Sequence, residues 1–326
     1  MKQSLLLTSL VLGVLALAGC GREPASADSA AAAAAAAKTR AEKSAYGKQI
    51  TAWRANRIQR LTKPDGWLSL VGMHWLEAGS TRVGSAPDNG TRLAVGPAHL
   101  GLVTVGRDGS VRFEADSRAN VTINGQPAKG TTTLVTDADP VHESTVVGFN
   151  QQDASFVVIR RGDRYALRVR DALAPTRTGF TSIPYFPVDR AFRFTARFTP
   201  HPPGSKIDIV NILGMVEKMD NPGTVSFQKD GKTFTLEAVD EGDHRLFLIY
   251  ADRTSGHESY AASRFLYADY PDASGTTIVD FNEGYNPPCA FTAYSTCPMP
   301  PLRNRLDLVI SAGEKKPLKS AVEASN

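Results

Sequence analysis

Cysteine is scarce in this chain: there are three in 326 residues, and only Cys289 and Cys297 fall beyond the first twenty positions. Their spacing is not the two-residue gap of a thioredoxin-like redox motif. No histidine stands near them in sequence to complete a metal set, the nearest being His257, so no metal site is expected. The chain has no His-Glu-x-x-His, no Gly-x-Ser-x-Gly and no glycine-rich phosphate loop. These absences argue against zinc-protease, common serine-hydrolase and nucleotide chemistry, and leave no cofactor to name. Charge of one sign is not in excess either. Lys and Arg number 37 against 33 Asp and Glu, a net +4, which argues against a nucleic-acid partner. After the first twenty residues no apolar run approaches the roughly 20 residues a membrane helix needs.

What is present begins with an address. Met1 and Lys2 give a short positive start, Leu5 to Leu17 is almost wholly apolar, and Leu17-Ala18-Gly19-Cys20 closes the segment. About a dozen apolar residues are too few to span a bilayer and fit a secretion signal over residues 1–19. Leu-Ala-Gly-Cys resembles the lipobox of bacterial lipoproteins, which implies cleavage before Cys20 and lipid on its sulfur. The partner implied is then a membrane, reached through that lipid, with the body held extracytoplasmically in the cell envelope. Gly21, where inner-membrane retention would place Asp, favours the outer membrane. Residues 20–37 read as an alanine-rich tether that either wanders or joins the next helix. Residues 38–63 read as a helix, because Tyr46, Ile50, Trp53 and Leu61 recur at helical spacing before Pro64 and Asp65-Gly66 stop it.

Beyond Pro64 the apolar period becomes two. Val111, Phe113 and Ala115 alternate with polar residues, and Val121 and Ile123 lead into an Asn124-Gly125 hairpin turn. Phe156–Ile159 and Tyr165–Val169 flank Arg161-Gly162-Asp163. In 191–198, Phe192, Phe194, Ala196 and Phe198 point one way, with Arg193, Thr195 and Arg197 the other. Two more strands flank Asp230-Gly231. Leu246–Tyr250, Arg264–Tyr267, Thr277–Phe281 and Leu306–Ile310 continue the series. The expected fold class is mainly β: an N-terminal helix, a β sandwich over 65–175, a second β sandwich or barrel over 180–316 with a Pro-rich, Cys-containing loop, and a tail at 317–326.

The densest polar constellation runs from Asp252 to Asn304. It holds Asp252, Arg253, Tyr260, Arg264, Asp280, Asn282, Tyr285, Asn286 and Asn304, punctuated by prolines at 287, 288, 298, 300 and 301. Ordering such a stretch takes either buried polar contacts or a ligand. Asp252, Arg253 and Asp280 have the residue types of an acid–base or sugar-binding set, and equally of structural ion pairs. Cys289 and Cys297 admit three readings: a disulfide, as two cysteines in an oxidising compartment usually form, a buried pair of thiols, or a metal or catalytic role.

Two resemblances overlie this reading. From about Gly79 to Arg170, the strings Thr81-Arg82-Val83-Gly84-Ser85, Gly96-Pro97-Ala98-His99, Asn124-Gly125 and Phe156 to Arg160 resemble a forkhead-associated sandwich. That family reads phosphothreonine with an Arg and a Ser at positions occupied here by Ser85 and Gly96, so the resemblance implies the fold without phosphopeptide binding. From about Asp65 to Lys316 the chain resembles the bacterial domain of unknown function 1684. The resemblance rests on Asp65-Gly66-Trp67-Leu68-Ser69-Leu70-Val71-Gly72, Phe186-Pro187-Val188-Asp189, Ala251-Asp252-Arg253-Thr254-Ser255-Gly256, Arg264-Phe265-Leu266-Tyr267, Asp280-Phe281-Asn282, Tyr285-Asn286-Pro287-Pro288-Cys289-Ala290-Phe291 and Thr296-Cys297-Pro298. Ala262, Gly284 and Ser295 depart from its pattern. That family brings no activity with it.

Two functional readings follow. One is an envelope lipoprotein that binds a small molecule, glycan or protein through its C-terminal loops. The other is an enzyme, a hydrolase among the options, that uses the Asp252–Asn304 cluster.

Overall fold

The computed structural model describes residues 27–318. The secretion signal, the lipobox and Cys20 lie outside the described residues. The chain divides into two compact units, residues 1–48 and 49–326. The first helix, Ala27–Leu61, crosses that division and absorbs the alanine run, as the helix propensity of alanine allows. No helix among the described residues is long and apolar enough to cross a membrane.

Within the larger unit the last turns of this helix show one working face. Ile50, Arg57 and Leu61 are buried and Trp53 is half-buried, at the helical spacing that makes a stripe. The helix stops where Pro64 cannot continue it. Gly66 is required just beyond, since a Cβ there would meet the carbonyl oxygens of Leu61 and Arg60 at 2.7 and 2.9 Å.

The rest is mainly β. A sandwich occupies Leu70–Asp171. Its six-stranded sheet runs, in spatial order, Leu70–Leu76, Arg164–Asp171, Ala154–Arg161, Val147–Phe149, Thr122–Ile123 and Gln126–Pro127. The facing five-stranded sheet runs Thr91–Arg92, Gly79–Gly84, Gly101–Val105, Val111–Ala115 and Thr131–Leu134. Alternation decides what lies between them. Val83, Val103, Phe113, Phe156, Val158, Leu167 and Val169 form the core, and the odd-even partners of the last two, Arg168 and Arg170, are turned to the outer face. The Asn124-Gly125 and Asp230-Gly231 turns form as the sequence predicts, with Asn124 and Asp230 in the left-handed region.

A second, nearly closed sheet holds residues 193–280. Its path is Arg264–Asp269, Arg245–Tyr250, Lys232–Asp240, Val216–Lys229, Arg193–Pro200 and Thr276–Asp280, with Lys206–Val210 added on Val216–Lys229. Its interior takes Ala196, Val225, Leu236, Leu248, Leu266 and Phe281, lined with stacked and edge-on aromatic contacts among Phe194, Phe227 and Phe281. One expected strand is absent. Residues 306–310 make no ladder, and the chain there offers only an isolated bridge between Arg305 and Ala251. Leu306 and Ile310 are nonetheless buried in the core, so the alternation that suggested a strand reports burial of an irregular segment.

Candidate functional site

The polar cluster that the sequence singles out resolves mostly into scaffolding bonds. The Arg264 side chain is wholly buried against an equally buried Asp252 carboxylate. It also donates from Nη1 to the Ala312 carbonyl at 2.6 Å and from Nη2 to that of Ile310 at 3.0 Å. The other Asp252 oxygen accepts the Thr254 N–H at 2.5 Å. Asn304 acts as a ladder splice. The strands Lys232–Asp240 and Arg245–Tyr250 pair only at Val239 and Phe247. Asn304 bridges the gap beside that pair by accepting from Glu237 N at 2.7 Å and donating to the carbonyls of Glu237 and Ile249 at 2.9 and 2.8 Å. Asn282 clips Asp189 the same way, at 2.9 and 2.8 Å, and donates to Asp280 at 2.9 Å. Asn286 donates to the Lys315 carbonyl at 2.7 Å. Tyr260 donates to the Cys289 carbonyl at 3.1 Å, and Arg253 pairs with Asp307 on the surface. Arg264 Nε and Asn286 Oδ1 are buried without a partner, but neither residue lines open space, and the bonds these side chains do make specify loop conformation.

Two members of the cluster do border open space. Asp280, paired with Arg193 at 3.4 Å, and Tyr285 line a cleft of about 1020 Å³. The cleft lies wholly within the larger unit. One wall is the final stretch of the first helix, carrying Trp53, Arg57 and Arg60. Another is the outer face of the strand Arg164–Asp171, carrying Arg168 and Arg170. A third is the face of the paired strands Arg245–Tyr250 and Arg264–Asp269 that presents Arg245, Phe247 and Tyr267, and the loop holding Ser295, Thr296 and Cys297 closes the fourth side.

The electrostatics of the cleft are unbalanced. Arg57, Arg161 and Arg193 have carboxylate partners in Glu314, Asp137 and Asp280. Arg168 is only 5 % exposed, and its Nε finds no hydrogen-bond partner; the Nε of Arg170 is likewise buried and unpartnered. Burial, with Arg161 nearby, pulls the Arg168 guanidinium down to about 10, and burial lowers Arg170 as well. Arg168 lies over the Trp67 ring, 5.3 Å from its centroid. Aromatic rings continue along the opposite wall: Phe247 stacks on Tyr267 at 4.8 Å, and Tyr267 on Tyr285 at 6.4 Å. Two acids sit among them. Burial raises the carboxyls of Glu241 and Glu283 above the ordinary glutamate range, the second also because Asp280 is near.

The cysteines are not bridged here; both are free thiols. The turn Pro288–Ala290 aims the Cys289 N–H at Cys297 Sγ, 3.1 Å away, and both sulfurs lie within reach of Ser295 Oγ, at 3.0 and 3.5 Å. Hydrogen bonds thus satisfy the pair without a covalent bond. No cluster of three or more His, Cys, Asp or Glu residues suited to a metal occurs among the described residues. His74 is half-buried, its Nε2 unpartnered, and burial lowers its pKa. The sequence reading passed over Arg168 and Arg170. Their signal, two arginines at i and i+2 in an alternating strand, is that of an ordinary solvent-facing strand edge.

Residues 178–315 match the family described as a protein of unknown function (DUF1684), which bears out the resemblance over that span. Asp280, Tyr285, Cys289 and Cys297 fall within the match, and Arg168 and Arg170 precede it. Six solved chains match this one. One is an uncharacterized protein of Haloarcula marismortui, determined by solution NMR. It is 29% identical over 43% of this chain and 78% of its own, with a TM-score of 0.36. No curated protein matches.

Proposed function

We propose that this chain, with its DUF1684-like C-terminal part, is a lipid-anchored envelope protein that binds an anionic small molecule bearing a flat apolar portion. The observation that carries the reading is the pair Arg168, buried, and Arg170, half-buried, which line an open cleft and each hold a buried Nε with no hydrogen-bond partner. An unpartnered buried donor costs about 1–3 kcal/mol, and a bound anion removes that cost. The cleft volume suits a small molecule, for which sites run to roughly 1,000 Å³. The half-buried Trp67, Tyr267 and Tyr285 rings supply faces for a planar group.

Sulfate and phenyl phosphate are the probes, read by calorimetry on the full chain. Sulfate keeps its charge between pH 4 and 7, so any pH dependence belongs to the protein. Glu241 and Glu283 hold their protons in the fold at pH values where an unfolded glutamate has lost them. As pH rises through the window from the ordinary glutamate value to their raised ones, both apo stability and anion affinity fall. Arg168→Met is expected to weaken phenyl phosphate binding roughly 10–100-fold, the worth of a hydrogen bond to a charged group, while stabilising the unliganded protein by about 1 kcal/mol or more. Absence of binding by either probe, with Arg168→Met neutral or destabilising, would remove the basis of this reading. The anchor rests on Leu17-Ala18-Gly19-Cys20. In a producing bacterium, Cys20→Ser is expected to shift the protein from the membrane fraction to the soluble one, and an unchanged distribution would reject the anchor.

A further inference from the structure

We propose that Cys289 and Cys297 form a thiol–disulfide exchange site beside the cleft, which only Cys297 of the two lines, taking small organic disulfides as oxidant. Three observations carry this. The two thiols are unbonded yet held together, with the Cys289 N–H 3.1 Å from Cys297 Sγ and Ser295 Oγ reaching both sulfurs. Their exposures differ: Cys289 is partly exposed, whereas Cys297 is buried, the division expected between an attacking and a resolving cysteine. The loop between them is mechanically tied to the cleft, because Arg161 Nε donates to Thr296 Oγ1 at 2.9 Å and Ser295, Thr296 and Cys297 all line it.

The hydrogen-bond donors around Cys289 also favour its thiolate and lower its pKa, with the Cys297 thiol the largest contributor. The buried Cys297 moves the other way and keeps its proton. The thiolate is the nucleophile in exchange, so at neutral pH the exposed member of the pair is armed.

The Cys289 thiolate, its proton already released to solvent, attacks one sulfur of a disulfide RSSR. That S–S bond breaks, RS⁻ leaves, and a mixed disulfide forms on Cys289. Cys297 gives its proton to the departing RS⁻ and attacks Cys289 Sγ. The mixed bond breaks, a second RS⁻ leaves and takes up the proton that Cys289 had released. Two thiols and RSSR become one protein disulfide and two RSH, and two electrons pass from the protein to the small disulfide. The site is independent of the anion reading, since neither Arg168 nor Arg170 takes part.

The test uses the full chain equilibrated in reduced and oxidised glutathione across a range of ratios, quenched by alkylation and read by peptide mapping, which separates Cys20 from the pair. Cys289 and Cys297 are expected to lose alkylation together within that range as an intramolecular disulfide forms. Cys297→Ser is expected to trap glutathione on Cys289, whereas Cys289→Ser leaves Cys297 unmodified. The alkylation rate of Cys289 should reach half its maximum below the pH expected of a free cysteine. Ser295→Ala should move that midpoint toward the roughly 8.5 of a free cysteine, and Ser295→Thr should restore it. A bond that stays closed across the whole glutathione range marks a purely structural disulfide and overturns the proposal. So do thiols that never pair, or a Cys289 alkylation profile with the midpoint of an ordinary thiol.

Discussion

Asp252→Ala is expected to lower the unfolding free energy by about 3–5 kcal/mol, the cost of stranding one member of a buried ion pair. Arg264 has no exposed side-chain surface, and neither does Asp252. The guanidinium lies over the Tyr250 ring, 5.0 Å from its centroid, and its remaining bonds go to neutral groups, the carbonyls of Ala312 and Ile310 and the Thr254 hydroxyl. Among the described residues Asp252 is the carboxylate that pairs with Arg264. The loss also frees the Thr254 N–H, which the second carboxylate oxygen accepts. The measurement is the urea midpoint at constant slope. The double variant Asp252→Ala/Arg264→Met should be less damaged than Asp252→Ala alone, because it removes the orphaned charge. Equal midpoints for wild type and Asp252→Ala would show that the pair contributes nothing.

Glu314→Ala is expected to be comparably costly, about 3–5 kcal/mol, and to reach the cleft as well. The Glu314 carboxylate is fully buried and serves two donors: Arg57 Nε at 2.9 Å and the Asn286 N–H at 2.7 Å. Arg57 also donates to the Asn286 carbonyl at 2.9 Å and lies over Tyr285, 4.7 Å from its ring. One carboxylate near the end of the described chain therefore fixes an arginine of the helix, the backbone at Asn286 and the ring that follows Gly284. Glu314→Gln keeps an acceptor oxygen but turns an NH2 toward one of the two donors and leaves Arg57 unneutralised, so it should lose nearly as much. Thermal unfolding measures the loss, and weaker phenyl phosphate binding is expected in parallel because Arg57 and Tyr285 line the cleft. A variant with full stability and unchanged binding would dissociate Glu314 from both roles.

Much of the architecture was legible from local chemistry. The period-two runs at Val111–Ala115 and Arg193–Phe198, and the Asn124-Gly125 and Asp230-Gly231 turns, are decisions made within a few residues by alternation and by backbone conformations that Asn, Asp and Gly tolerate, although Ala191 and Phe192, expected in the second strand, close a 3-10 turn before it. The same local logic misplaced a strand at 306–310, where apolar residues alternate but the backbone finds no ladder partner beyond Arg305 with Ala251. Burial and pairing are separate conditions, and only the first is written in the hydrophobic pattern.

The polar constellation shows the same division. Asp252, Arg264, Asn282, Asn286 and Asn304 stood out by density, but density does not distinguish groups that satisfy one another from groups that await a ligand. That distinction depends on whether each donor meets an acceptor, and the acceptors for Arg264, such as the Ala312 and Ile310 carbonyls, lie nearly fifty positions away. Arg168 and Arg170 show the reverse. In sequence they are the polar half of an alternating strand, indistinguishable from any solvent-facing pair. Alternation along the strand is enough to turn Leu167 and Val169 to the sandwich core and the two arginines away from it. That a helix end, an aromatic wall and a cysteine loop lie on that outer side instead of bulk water follows from packing alone, because side-chain direction is a local property of the strand, whereas what faces it depends on how distant segments pack.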